Sequence, residues 1–242
     1  MTRAGRAAVG YLRQWMGHFG ALLTYRNTVI CTMTVCLAAI VSYYQAPYFW
    51  GLGAKWRPYL VPMTELFHAG VYVLLPLATL PLLRERDRLG VRWGNWRVWV
   101  VDVAVAYAVI AALIVVFGRG EDFRRMYPQY KPAGEFLSVF LWFQAAQLAY
   151  FVGWEFLFRG YMLFGTKKEL GPQVAVILQV LPFAILHLRK PELEAIGSIL
   201  AGFYLGVLAL RANSVLPCAI LHFLAACTMD VWAVIQNRLD GI

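Results

Sequence analysis

Long apolar runs are the feature that most limits what this chain can fold into. A run of about 20 apolar residues is long enough to cross the hydrocarbon core of a bilayer as an α-helix. About seven such runs are predicted, near residues 28–46, 59–83, 98–117, 136–164, 173–188, 195–210 and 215–235. The chain is 61% hydrophobic and 14% charged, whereas soluble domains average about 25% charged residues. These features predict an integral, multi-pass membrane protein.

The expected architecture is all-α, a multi-pass transmembrane helical bundle. No segment shows the alternation of polar and apolar residues that transmembrane strands require. The fifth and sixth runs are short, so we expect these helices to be tilted or buried among the others. No composition shift or linker divides residues 26–242, which we therefore treat as one transmembrane domain.

The N-terminal segment, residues 1–25, has a different pattern. Its apolar residues recur at helical spacing, while arginines and a histidine supply the polar positions. This pattern is typical of an amphipathic helix that lies in the membrane interface rather than crossing it. The apolar positions are Leu12, Trp15, Met16, Phe19, Leu22 and Leu23.

The basic residues report topology rather than nucleic-acid binding. The net charge is +9, but these residues lie in loops between apolar runs and not on one soluble face. By the positive-inside rule, their excess before the first run and after the second predicts a cytoplasmic N-terminus. The residues that carry this prediction are Arg3, Arg6, Arg13, Arg26, Arg84, Arg86, Arg88, Arg92 and Arg97, against Lys55 and Arg57 in the first loop.

Ionisable residues within the apolar runs are the candidates for function. A charge at bilayer depth costs roughly 2.5 kcal/mol or more, so such residues are rare unless they are used. Glu155 and Arg159 are four residues apart and share one helix face, where they can pair. The complete set comprises Glu65, His68, Asp102, Glu155, Arg159, His187, His222 and Asp230.

Three of these side chains are predicted to lie at similar depth. At 1.5 Å per residue, Glu155 lies about 15 Å from the end of the fourth run and His187 about 21 Å from the start of the fifth. His222 lies about 10 Å into the seventh run, which begins on the same side of the membrane. The sequence therefore predicts that Glu155, His187 and His222 meet near the middle of the bilayer.

Three ordered motifs support this cluster: "WEFLFRG", then "FAILH" from Phe183 to His187, then "RANSVLPCAILH" ending at His222. Together they resemble the motifs of the CPBP family, the CAAX-protease and bacteriocin-processing intramembrane glutamic endopeptidases. The resemblance covers about residues 135–235 and implies a membrane-embedded peptidase without a cofactor. The implied substrate is a membrane-associated protein or peptide.

The resemblance also implies roles for the matching residues. Glu155 and His187 would activate water for attack on a peptide carbonyl, and His222 would donate to the oxyanion. Arg159 would hold Glu155 in place. Donors that are fixed in a dry cavity stabilise developing negative charge more strongly than the same donors in water.

Two positions depart from the family pattern. Trp154 stands where the first of two adjacent glutamates is expected, and Ala226 stands where an asparagine is expected four residues after His222. One interpretation is a variant peptidase in which Glu155 is the base. The other is an inactive relative that binds or regulates a membrane partner.

A metalloenzyme is a third hypothesis. Glu65 and His68 have the Glu-x-x-His spacing that offers two ligands to one metal from a helix. Together with Glu155, His187 and His222, they would form a zinc or iron site.

Overall fold

A computed structural model describes residues 3–49, 59–84 and 89–239. Throughout those ranges the regular structure is helical, without a β-strand. The predicted all-α, multi-pass architecture is confirmed. Lys55, Arg57, Arg86 and Arg88, which contributed to the topology prediction, lie outside the described residues, and the cytoplasmic N-terminus stays a prediction.

The helices follow one another with short connections. Their bounds are Arg3–Leu22 (α1), Arg26–Phe49 (α2), Leu60–Thr79 (α3), Trp96–Phe117 (α4), Glu121–Met126 (α5), Leu137–Glu155 (α6), Phe164–Leu170 (α7), Pro172–Ile185 (α8), Glu192–Ala212 (α9) and Leu216–Leu239 (α10). A π-helical segment, Phe156–Leu163, joins α6 to α7 without a break.

Within the described ranges, six helical stretches are long and apolar enough to cross a membrane. They are Val9–Tyr44, Leu60–Leu82, Trp96–Phe117, Leu137–Leu170, Glu192–Ala212 and Leu216–Leu239. The fifth predicted run corresponds to α8, which has only 14 residues and a length of about 21 Å. The sixth was expected to be short and is not, because α9 begins at Glu192 and reaches 21 residues. Glu192 and Glu194 occupy its first turn, where carboxylates favour the helix dipole.

Glycines allow two pairs of helices, α3 with α6 and α8 with α9, to pack closely. At Gly153 of α6, an added Cβ would lie 2.9 Å from the carbonyl oxygen of Ala69 in α3. At Gly206 of α9, it would lie 2.9 Å from Nε2 of Gln179 in α8. Small residues at such positions let membrane helices approach closely. The α3–α6 and α8–α9 contacts therefore depend on the absence of side chains there.

The π-helical segment lies in the centre of the protein. Arg159 and Tyr161 are fully buried in it. The Tyr161 hydroxyl lies 2.6 Å from the hydroxyl of Thr79 in α3 and 3.3 Å from that of Thr34 in α2. These polar contacts attach the segment to two neighbouring helices. π-helical turns recur at functional sites because they change the direction of the side chains that follow.

The N-terminal helix leaves its apolar face uncovered within the described part of the chain. Met16 is 73% exposed and Phe19 is 62% exposed. A 3₁₀ turn, Leu23–Tyr25, connects α1 directly to α2. The interfacial position of residues 1–25 and the single domain 26–242 remain proposals.

Candidate active site

Glu155 is the last residue of α6, and its side chain is completely buried. Its Oε1 accepts a hydrogen bond from an Arg159 guanidinium nitrogen at 3.0 Å and another from His222 Nδ1 at 2.6 Å. The pairing of Glu155 with Arg159 has the spacing of four residues that the sequence suggested. The contact with His222 connects α10 to the same carboxylate.

Arg159 is held from two sides. Its guanidinium carbon lies 4.2 Å from the centre of the Phe183 ring, an arrangement in which the ring face attracts the cation. Its Nε and one terminal nitrogen have no hydrogen-bond partner among the described residues, and neither has Oε2 of Glu155. The buried pair is therefore incompletely hydrogen-bonded, and the Phe183 ring supplies part of the missing stabilisation.

His187 lies in the turn that follows α8. Its Nδ1 donates to the carbonyl oxygen of Phe183 at 2.7 Å. Because a carbonyl can only accept, Nδ1 carries a proton, and Nε2 of the neutral ring is an acceptor. The ring planes of His187 and His222 are 6.3 Å apart between centroids and inclined by 20°. The two histidines therefore lie side by side.

His222 enters from α10 and is held by ring contacts as well as by Glu155. Its ring centroid lies 4.3 Å from that of Phe151 and 5.8 Å from that of Phe183. With Nδ1 directed to the carboxylate, Nε2 is the nitrogen left for another partner. Of the four predicted site residues, Glu155, Arg159 and His222 are in direct contact, and His187 lies beside His222.

A cavity of about 270 Å³ opens next to the histidines. His187 and His222 line it, whereas Glu155 and Arg159 do not. Both positions that depart from the family pattern, Trp154 and Ala226, are part of its wall. The cavity approaches the size of small-molecule pockets. It can therefore admit water together with a segment of a peptide.

The proposed metal ligands do not form one group. Within residues 3–49, 59–84 and 89–239, no three His, Cys, Asp or Glu side chains are arranged to hold a metal ion. His68 uses Nε2 to donate to the carbonyl oxygen of Ser42 at 3.2 Å. Glu65 and His68 line the cavity, but the buried Glu155 carboxylate is directed to Arg159 and His222 instead.

The cavity wall also contains residues that sequence reasoning did not select. The buried Tyr127, from the loop after α5, donates its hydroxyl to Glu194 Oε2 at 2.6 Å. Lys190 lies 3.8 Å from the other Glu194 oxygen. Burial raises the pKa of Tyr127 well above its ordinary value, and the Glu194 carboxylate raises it further. Tyr127 and Glu194 are 67 positions apart in the sequence, so no local sequence pattern indicates this contact.

The remaining ionisable residues have structural partners. Asp102 pairs with Arg211 at 3.2 Å on the exposed side of α4 and α9. Asp230 is buried and accepts hydrogen bonds from the Gln129 backbone and the Gln144 amide, both at 3.0 Å. Asp230 therefore fastens α10 to α6 and to the loop that precedes it.

Comparison with known proteins identifies the region that carries the site. No curated protein and no solved structure matches the chain significantly. Residues 134–228 match the family model described as "Type II CAAX prenyl endopeptidase Rce1-like". This region begins before α6 and includes Glu155, Arg159, His187 and His222. The resemblance drawn from the three motifs is confirmed, and residues 134–228 are similar to the CPBP family of CAAX-type membrane proteases.

Proposed function

We propose that this protein is an intramembrane peptidase that hydrolyses a peptide bond of a membrane-associated protein or peptide. The observation that carries the proposal is the pair of histidines on one cavity. Their rings lie 6.3 Å apart, and Phe183 and Glu155 each hold one Nδ1. Each histidine therefore has Nε2 available for chemistry, with its orientation set by a second group.

Hydrolysis follows from two different tasks for the two rings. A water molecule donates a hydrogen bond to Nε2 of His187 and attacks the peptide carbonyl carbon as its proton passes to that nitrogen. Nε2 of protonated His222 donates to the carbonyl oxygen as negative charge develops there. The proton on His187 then passes to the amide nitrogen as the C–N bond breaks, which releases an amine and a carboxylic acid.

Glu155 has an indirect role in this proposal. The sequence assigned it to the activation of water, but its carboxylate is fully buried and does not line the cavity. Its hydrogen bond to His222 supports a positioning role, in which Arg159 fixes the carboxylate and the carboxylate fixes the ring. Partners of this kind set the tautomer and the direction of a catalytic imidazole.

The family description suggests a class of substrate. It names endopeptidases of CAAX prenyl proteins, whose substrates are attached to membranes by a lipid. We propose that a membrane-associated chain of this general kind enters the cavity beside the two histidines. The cleaved terminus of the substrate, and any lipid attached to it, are to be identified by analysis of the cleavage products.

A second candidate function is binding without cleavage. Trp154 and Ala226 both line the cavity, and neither has the carboxylate or amide found at the matching family positions. Loss of a single oxyanion donor typically costs about 10²–10³ in rate. The chain would then hold a membrane-associated segment without hydrolysing it.

Complementation of a gene deletion separates the two functions. The deletion strain receives wild type, His187→Ala, His222→Ala or Glu155→Gln, and mass spectrometry compares the termini of its membrane proteins. His18→Ala is the matched control, because His18 is exposed on α1. We expect wild type and the control to restore processed termini, and the three site variants to lack them, with His187→Ala and His222→Ala accumulating normally. Restoration by all three site variants would refute the peptidase.

A further inference from the structure

Trp154 removes a carboxylate from α6, yet the cavity contains another carboxylate from a different helix. Glu65 of α3 lines the same cavity as His187 and His222. This side chain lies 90 residues before Glu155 in the sequence and outside the region that matches the family model. Its position raises the question of whether α3 supplies what α6 lacks.

The close contact between α3 and α6 brings Glu65 to this place. Ala69 of α3 touches Gly153 of α6, where an added Cβ would lie 2.9 Å from the Ala69 carbonyl oxygen. Glu65 is four residues before Ala69 and so lies on the same face of α3. Gly153 directly precedes Trp154. A close approach of the two helices therefore lies next to the position of the missing carboxylate.

An aromatic wall fixes the surfaces around Glu65. The ring of Tyr72 lies 6.0 Å from that of His68 and 5.4 Å from that of Trp154. Tyr150 stacks on Trp154 at 5.5 Å with an angle of 28° between the planes. These contacts keep the Trp154 indole against the wall. The Trp154 ring also lies 6.1 Å from that of His187, so it connects this wall to one of the two histidines.

The Glu65 carboxylate has one buried oxygen, Oε2, that lacks a hydrogen-bond partner within the described part of the chain. Oε2 of Glu155 is also unpaired among the described residues, but its Oε1 accepts from Arg159 and His222, and Glu194 accepts from Tyr127. A buried polar group without a partner costs free energy, and ionisable residues kept at membrane depth are usually functional.

We propose that Glu65 is a catalytic residue of this site and accepts one hydrogen bond from the nucleophilic water. The other hydrogen of that water is directed to Nε2 of His187. The two acceptors thus point a lone pair of the oxygen at the peptide carbonyl. As the C–O bond forms, one proton passes to His187, and the remaining hydroxyl stays hydrogen-bonded to the carboxylate. The proton on His187 then leaves with the amine, so that Glu65 is unchanged after each turnover.

This role rests on the proposed peptidase function and is tested on the same substrate. Purified protein in liposomes is assayed with a peptide that spans a terminus identified by the complementation experiment. Glu65→Gln keeps the shape of the side chain and removes its charge. Glu65→Asp keeps the charge and withdraws it from the water. Glu121→Gln is the matched control, because it makes the same change to an exposed carboxylate that does not line the cavity.

We expect Glu65→Gln to lower kcat by about 10²-fold or more with little change in KM, in the range of positioned acid–base groups. Glu65→Asp should retain more activity than Glu65→Gln, and Glu121→Gln should stay within about threefold of wild type. Wild-type kcat in Glu65→Gln would overturn the proposal, and so would an equal loss in Glu121→Gln. If Glu65→Gln does not accumulate, Glu65→Asp decides: a kcat at least about tenfold lower supports the role, and an unchanged kcat refutes it.

The failure of this inference is distinct from the failure of the function. If wild type cleaves and His187→Ala does not, while Glu65→Gln cleaves like wild type, the peptidase stands and only the role of Glu65 falls. If wild type restores no terminus in the deletion strain, the peptidase falls and the role of Glu65 falls with it.

Discussion

Replacing Arg159 by methionine should destabilise the protein more than any exposed charge change. The Arg159–Glu155 pair is completely buried, with 0% exposure of both side chains. Arg159→Met removes one charge and leaves Glu155 with His222 as its only described partner. Breaking a buried ion pair from one side typically costs 3–5 kcal/mol, because the other charge stays buried without compensation.

The expected cost can be measured as a thermal unfolding midpoint in detergent. For chains of 150–250 residues, 1 kcal/mol corresponds to about 2–4 °C, so Arg159→Met should lower the midpoint by roughly 6–20 °C. Glu155→Gln should also be destabilising, because it leaves the guanidinium without its carboxylate. The double variant should cost less than the sum by at least about 1.5 kcal/mol, as expected for coupled neighbours.

Arg125 and Glu121 provide a matched control for this cycle. They also pair at a spacing of four residues, at 2.6 Å, but their side chains are 72% and 73% exposed. Arg125→Met should cost no more than about 1 kcal/mol, as exposed ion pairs do. If Arg159→Met costs as little as Arg125→Met, or if the effects of Arg159→Met and Glu155→Gln add, the buried pair is not the coupled unit described above.

Three further perturbations test other parts of the account. Gly153→Val should lower the unfolding midpoint, because a Cβ would lie 2.9 Å from the Ala69 carbonyl oxygen. Overpacking of this kind typically costs 1–3 kcal/mol. An unchanged midpoint would show that α3 can move away freely. Ala226→Asn should raise kcat by about 10-fold or more, because it returns an amide donor to the cavity wall. A lower kcat in a normally folded variant would place the oxyanion elsewhere. The raised pKa of Tyr127 predicts that stability is complete below its ordinary pKa of about 10 and falls as pH rises further, because the unfolded chain loses the proton first. Tyr127→Phe should therefore show a smaller loss of midpoint between pH 9 and about 11, and an identical loss in both proteins would contradict this.

Part of the site was predictable from spacing along single helices. Glu155 and Arg159 share a face by helical periodicity, and they pair in the structure. The estimated depth of each residue along its span also predicted that His187 and His222 lie close together, because their spans begin on the same side of the membrane. These inferences need only the rise per residue and the alternation of the spans.

Contacts that depend on the rotation of a helix about its axis could not be predicted from the sequence. Spacing placed Glu155 near His222 but could not show that the carboxylate turns away from the cavity toward Arg159. The π-helical segment after Glu155 changes the direction of the residues that follow, and it leaves no signature in apolar periodicity.

Contacts between segments that are distant in the sequence could not be predicted either. Glu65 was selected as an intramembrane carboxylate, but its place on the cavity that His187 also lines depends on how α3 packs against α6 at Gly153. The Tyr127–Glu194 contact depends on a loop and a helix start that are far apart in sequence. Neither segment alone encodes the distance between the two side chains.

The measurement that tests the central claim most directly follows the oxygen of water into the product. Purified wild type and His187→Ala are incubated in liposomes, in ¹⁸O-labelled water, with the peptide identified by complementation. Mass spectrometry then examines the new carboxyl terminus. The account predicts that wild type releases a product with one ¹⁸O atom in that carboxylate and that His187→Ala releases essentially none. Equal release of labelled product by both proteins would contradict a peptidase that works through the two-histidine cavity.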